Sequence, residues 1–343
     1  MLGLIDARAQ GLMDRFGVPG LSMACIADGE LLERVFGHAD AVGRWPMRAG
    51  VRFRLGSLSK PFASLLALRL VQRGLFGLDE PFLPLVRQWS LPADRAGGHD
   101  PRGVTLRRIL SHLSGLGVHS FPETGTELAP TLSQILDGVD GPGCVTSIVV
   151  APGARVEYSG AGFTVLQAGI EDLTGREYAE VLEQGVLRPL GLTGTGPHAD
   201  PEDGGPAALG FDAHGRPIQF RPSRCQAASG LYSTPRDVAR FFESLLPGWC
   251  GEAPGRGLVE PKLVAEMLTD QRRGAEGPCW GLGLLLHVFE GGVAYRHGGQ
   301  RPGWFCHAEA NTKSRCVIVA MANSSSGASC INPLVDELRC ETL

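Results

Sequence analysis

The chain has 343 residues, 43% of them hydrophobic, enough to bury one large core or two intimate ones. Its formal net charge of −4 offers no basic field to a phosphate backbone, which argues against nucleic acid and leaves a small molecule or short peptide as partner. No uncharged apolar stretch reaches the roughly 18 residues that cross a bilayer, so no membrane partner is expected.

Apolar side chains at Leu4, Ile5, Ala9, Leu12, Met13 and Phe16 recur at helical spacing and stop at Gly17-Val18-Pro19-Gly20, predicting an amphipathic opening helix. Segments 21–27 and 31–36 flank Asp28-Gly29, a pair suited to positive φ, and read as a hairpin. Helical periods follow over 60–73, 105–113, 131–138, 161–173, 177–187 and 235–246, among Pro- and Gly-rich loops. The last third returns to strands over 282–289, 294–297, 304–310 and 315–322, with turns expected at Glu290-Gly291-Gly292, Gly298–Gly303 and Asn311-Thr312-Lys313. Asn332-Pro333 reads as the N-cap and first residue of a closing helix to about Arg339.

This order predicts an α+β fold. An antiparallel sheet built from both chain ends, 1–60 and 226–343, is flanked by the terminal helices. A mainly helical region, 61–225, is inserted between its strands, and a ligand cleft is expected where the two parts meet. The nine cysteines stand singly with no CxxC pair and read as reduced. The first ten residues lack the basic start, apolar run and small-residue site of a secretion signal, so a cytoplasmic protein is expected.

Only three of the 32 basic residues are lysines, Lys60, Lys262 and Lys313. A lysine can lose its proton when buried, whereas an arginine stays charged, so only lysine can serve as a base. Ser57-Leu58-Ser59-Lys60 places a serine one helical turn from the first of them, at the head of the apolar run Phe62–Val71. A serine hydroxyl is a poor nucleophile until a neighbouring base takes its proton, and a neutral lysine at this spacing can do so. The bare S-x-x-K pattern is weak, because a serine-rich chain produces it by chance. Tyr158-Ser159-Gly160, in a loop ahead of a helix, supplies a phenol that can act as general acid–base. His297-Gly298-Gly299-Gln300 supplies a histidine expected as a hydrogen-bond donor, and two glycines that let a substrate approach the backbone. His112 and His119 read as structural. G-x-S-x-G, G-x-x-x-x-G-K-[ST], G-x-G-x-x-G and H-E-x-x-H are all absent from the sequence.

In this order the motifs resemble those of the class C β-lactamase and esterase family of penicillin-recognising serine hydrolases. Leu55–Phe62 is similar to its nucleophile segment, Gly74–Pro81 to the turn that follows, and Val104–Leu116 and Ala228–Asp237 to two further family phrases. The resemblance implies Ser57 as acylated nucleophile, Lys60 as base and Tyr158 as general acid–base. It implies His297 in the third triplet and the backbone N–H groups of Ser57 and Gln300 as oxyanion hole. Gly160, Gly298, Gly299 and Arg301 would contact substrate, Arg301 from the turn after the triplet. Acyl transfer through a Ser57 ester would need no metal or organic cofactor. Two departures favour esters, amides or peptides over β-lactams: Gly160 stands where the family usually has asparagine, and the triplet lysine is missing. An acyltransferase or peptide-cyclising enzyme, and a non-turnover sensor of the same fold, are the alternatives.

Overall fold

The computed structural model describes all residues except 1, 41–44, 123–129, 140, 199–206, 220–222, 249 and 343; parts of the loops 117–130 and 196–224 therefore lie outside the described residues. Helix α1 (Leu2–Phe16) ends at Gly17, whose φ of +63° suits a glycine, and the chain enters β1 (Gly20–Ala27). Asp28 (φ +52°) and Gly29 (φ +82°) close the expected hairpin onto β2 (Glu30–Gly37), with Ala27 opposite Glu30. A short strand β3 (Phe53–Arg54) then delivers the chain to α2 (Lys60–Gln72).

The middle of the chain carries α3 (Leu106–Leu110), α4 (Leu132–Leu136), α5 (Gly160–Thr174) and α6 (Tyr178–Leu182), which continues as one wider turn over Glu183–Leu187. β4 (Tyr232–Ser233) pairs with β3 and leads into α7 (Pro235–Ser244), where Thr234 accepts from the Asp237 N–H and Pro235 holds the first helical position. α8 (Pro261–Met267), which periodicity did not reveal, precedes β5 (Leu285–Phe289), β6 (Gly292–Arg301), β7 (Trp304–Asn311), β8 (Val317–Ala322) and α9 (Gly327–Thr342).

Among the described residues, six strands form one antiparallel sheet in the order β2-β1-β8-β7-β6-β5, so strands from the two chain ends, β1 and β8, pair inside it. The period of two sorts the side chains of β1 and β8. Leu21, Met23, Cys25, Ile318, Ala320 and Ala322 pack with apolar residues of α1 and α9, whereas Ala24, Ile26, Val317, Val319 and Met321 join the large core on the other face. That core runs on into the helical region, where Phe62 of α2 stacks on Phe241 of α7 with ring centroids 4.0 Å apart.

Two expected boundaries are corrected. Gly298–Arg301 are strand rather than turn: they pair with His307–Trp304, and the connection shrinks to Pro302-Gly303. Glycine's weak strand preference yields here to a register fixed by the neighbouring strand. α9 starts at Gly327, five residues before the expected cap, and Pro333 lies inside it. A Cβ on Gly327 would stand 2.7 Å from the Phe305 Cβ, so the bare backbone lets the helix close on the sheet, where Cys330, Ile331, Leu334, Val335 and Leu338 are buried. That burial outweighs the hydrogen bond lost at Pro333.

Candidate active site

The Gly56–Ser59 turn, the loop before α5 and strand β6 meet at a cleft of about 620 Å³, lined among others by Ser57, His119, Tyr158, Trp280, His297 and Gln300. The turn is one 3₁₀ turn running directly into α2, which sets Ser57 at the helix entrance. Its shape is held from several sides. Leu55 N–H donates to the Leu231 carbonyl (2.9 Å), Ser59 Oγ donates to the Gly56 carbonyl (2.8 Å), and the same hydroxyl accepts from Leu231 N–H (3.2 Å). Leu55, Leu58 and Phe62 are buried beneath it. Gly56 takes a φ of +54°, and a Cβ there would lie 3.1 Å from both N and O of Gln300, so β6 runs against the turn.

Lys60 is 1% exposed. Its Nζ lies 3.2 Å from Ser57 Oγ and donates to the Ala228 carbonyl at 2.9 Å. Burial, and then the positive charge of Arg301, lower the Lys60 ammonium to about 7. A large share of the neutral amine therefore exists near neutral pH, with its lone pair within reach of the Ser57 proton.

Tyr158 is hydrogen-bonded to Ser57, and burial pushes its phenol up to about 12, so it stays protonated. Lys60 Nζ lies 4.9 Å from the centre of its ring. Ser159 caps α5 by accepting from Gly162 N–H (2.8 Å), while its own N–H donates to His112 Nδ1 (3.1 Å). The His112 ring sits 4.1 Å from the Tyr158 ring, so His112 fixes the segment that presents the phenol.

His297 is 5% exposed and lies on the same cleft. Its Nδ1 lies 2.6 Å from the Gly298 carbonyl oxygen. A carbonyl only accepts, so Nδ1 carries the proton. Burial, and then Lys60, push the imidazole down to about 3, which keeps it neutral and leaves Nε2 as an acceptor. The hydrogen that His297 donates is thus spent on the Gly298 carbonyl of its own strand.

Ser57, Lys60, Tyr158 and His297 thus come together, although 240 positions separate the first from the last. Gly298 and Gly299 also line the cleft, with different surroundings. A Cβ on Gly299 would overlap the Leu55 carbonyl oxygen, so the close approach this glycine permits is to the protein's own backbone. On Gly298 it would meet nothing nearer than the Cys306 carbonyl at 3.6 Å. Arg301 is the last residue of β6 rather than a turn residue, and it donates to Ser229 Oγ and to the Phe121 carbonyl (3.4 Å). Gly160 heads α5, buried under the 118–120 backbone, with its N–H within 3.0 Å of both the Val118 and the His119 carbonyl oxygens.

Sequence reasoning missed His119 and Trp280 as cleft residues. The His119 ring lies 4.6 Å from that of Tyr158, and Trp280 meets His297 at 5.7 Å and His112 at 4.7 Å between ring centroids. His119 had one faint signal, its place just after Leu113-Ser114-Gly115-Leu116; Trp280 had none.

The sequence pattern that defines the Beta-lactamase family matches residues 5–333. Esterase EstB of Burkholderia gladioli is 32% identical over 308 residues, spanning 76% of this chain and 73% of that one. Penicillin-binding protein 4 of Amycolatopsis lactamdurans is 26% identical, spanning 96% of this chain and 87% of that one. Among solved structures, the D-amino acid amidase of Ochrobactrum anthropi SV3 complexed with L-phenylalanine superposes with a TM-score of 0.77 at 25% identity, covering 99% of both chains. With a matching fold and a match along nearly its whole length, the chain belongs to the Beta-lactamase family of serine hydrolases.

Proposed function

We propose that this protein hydrolyses a small ester, amide or short peptide through a covalent acyl-Ser57 intermediate. One observation carries the reading: a buried amine lowered to about 7 stands 3.2 Å from Ser57 Oγ, while Tyr158 hydrogen-bonds the same serine. Ser57 Oγ attacks the carbonyl carbon as its proton passes to Lys60. The backbone N–H groups of Ser57 and Gln300 receive the oxyanion. Collapse expels the alcohol or amine, which takes a proton through Tyr158, and water then splits the Ser57 ester to release the acid and restore the hydroxyl. The esterase and amidase named above favour esters and amides as substrates, as do Gly160 and the absent triplet lysine. Cys25, Cys250, Cys279, Cys306, Cys316 and Cys330 are free thiols, which supports the reducing cytoplasm that we assign as its compartment.

Intact mass spectrometry after exposure to an activated ester, with Ser57→Ala as control, tests the proposal. The wild type should gain the acyl mass and the variant none. Equal labelling of both proteins rules out Ser57 as the nucleophile.

A further inference from the structure

His297 is a neutral imidazole whose Nδ1–H is spent on the Gly298 carbonyl at 2.6 Å. Its Nε2 is buried and finds no hydrogen-bond partner among the described residues. The ring nevertheless lines the Ser57 cleft, beside Trp280 at 5.7 Å and Tyr158 at 6.4 Å between centroids. A buried acceptor without a donor is costly, and a ligand that supplies the donor removes that cost. The surrounding charges decide which kind of donor fits. Lys60 and Arg301 bring positive charge to this part of the protein and lower the His119 imidazole beside Tyr158, with Glu157 as a weaker opposing charge. Among the described residues lining the cleft, the one carboxylate is that of Asp336, which is paired with Arg339. An ammonium would face repulsion from Lys60 and Arg301 that Glu157 offsets only in part, whereas an amide N–H or a hydroxyl would not.

We propose that the Ser57 cleft selects acyl substrates carrying a neutral hydrogen-bond donor, an amide N–H or a hydroxyl, that meets His297 Nε2. This rests on the acyl-Ser57 reading above and adds a substrate class to it. The triplet then reads a donor on the substrate rather than a carboxylate.

The test uses p-nitrophenyl esters and simple amides that carry a hydroxyl or a secondary amide at successive positions from the scissile carbonyl. Each is compared with its O-methyl or N-methyl twin and with its deoxy twin. At one position, kcat/KM for the donor compound should exceed that of both twins by about tenfold or more, the worth of one net hydrogen bond in a dry site. The ratio should fall to about one in His297→Leu and survive in His297→Gln, whose amide oxygen can accept. A wild-type ratio near one at every position overturns the inference, as does a ratio that persists in His297→Leu. If His297→Leu does not fold, His297→Lys decides: loss of the donor preference supports the inference and its retention overturns it. Ser57→Ala runs alongside; turnover surviving in that variant would reject the acyl-Ser57 reading, whereas a flat ratio with Ser57-dependent turnover rejects only the substrate class.

Discussion

The carbonyl oxygen of His119 accepts from the Gly160 N–H at 3.0 Å, and a Cβ on Gly160 would stand 2.6 Å from that same oxygen. The backbone of the 118–120 loop thus occupies the space into which any larger residue at 160 would project. The same loop lays His119 against Tyr158. The glycine at 160 and the inward seat of His119 are therefore one structural fact.

Gly160→Ala should consequently force the loop outward. Overpacking a filled site costs about 1–3 kcal/mol, so a lowered Tm is expected, together with at least a tenfold drop in kcat/KM from the displaced His119 and Tyr158. Gly160→Asn should behave no better and should not create β-lactam hydrolysis. Unchanged Tm and ester kinetics in Gly160→Ala would show that the loop yields freely.

The pH profile should follow Lys60. Below about 7 the amine is protonated and cannot accept from Ser57; as pH rises through that value the base appears. Acylation measured as kcat/KM should therefore climb through pH 7 and level off above it, with no falling limb from Tyr158, which holds its proton up to about 12. Arg301→Gln removes a positive charge that helps lower Lys60, so the climb should move to higher pH. A profile indifferent to Arg301→Gln, or one falling between pH 6 and 8, contradicts this assignment.

Tyr158→Phe should separate substrates by leaving group. Loss of a general acid costs roughly 10²–10⁴ in rate where the departing alcohol or amine needs a proton. Far less is lost with p-nitrophenol, which leaves as an anion. Equal losses for an alkyl ester and a p-nitrophenyl ester would assign Tyr158 to positioning alone.

The two triplet glycines should differ in stability. Gly299→Ala drives a methyl into the Leu55 carbonyl and to within 3.0 Å of the Leu58 nitrogen, separating β6 from the Gly56–Ser59 turn. About 2 kcal/mol or more of destabilisation is expected, read by urea unfolding. Gly298→Ala meets only the Cys306 carbonyl at 3.6 Å and should stay within about 0.5 kcal/mol of the parent. The reverse ranking would mean that β6 does not rest on Leu55 as described.

Local spacing alone determined a good deal of this protein. The periods of 3.6 and 2, and the Asp28-Gly29 pair, identified α1, the first hairpin, α2, α5, α7 and the closing strands, because each depends on contacts between near neighbours in the chain. The offset of three between Ser57 and Lys60 likewise fixed their meeting on one helical turn, and Tyr158 and His297, singled out by their ordered motifs, line the same cleft.

Only the tertiary structure decided the rest. Long-range register made strand of Gly298–Arg301, and the seat offered by Phe305 extended α9 back to Gly327. Burial by distant segments lowered the Lys60 amine to about 7. Which nitrogen of His297 carries the proton followed from a single 2.6 Å contact with Gly298. His119 and Trp280 entered the cleft from loops whose positions no neighbouring residue encodes. A pKa, a tautomer and a cleft wall are properties of what surrounds a side chain, and those surroundings come from parts of the chain far away in sequence.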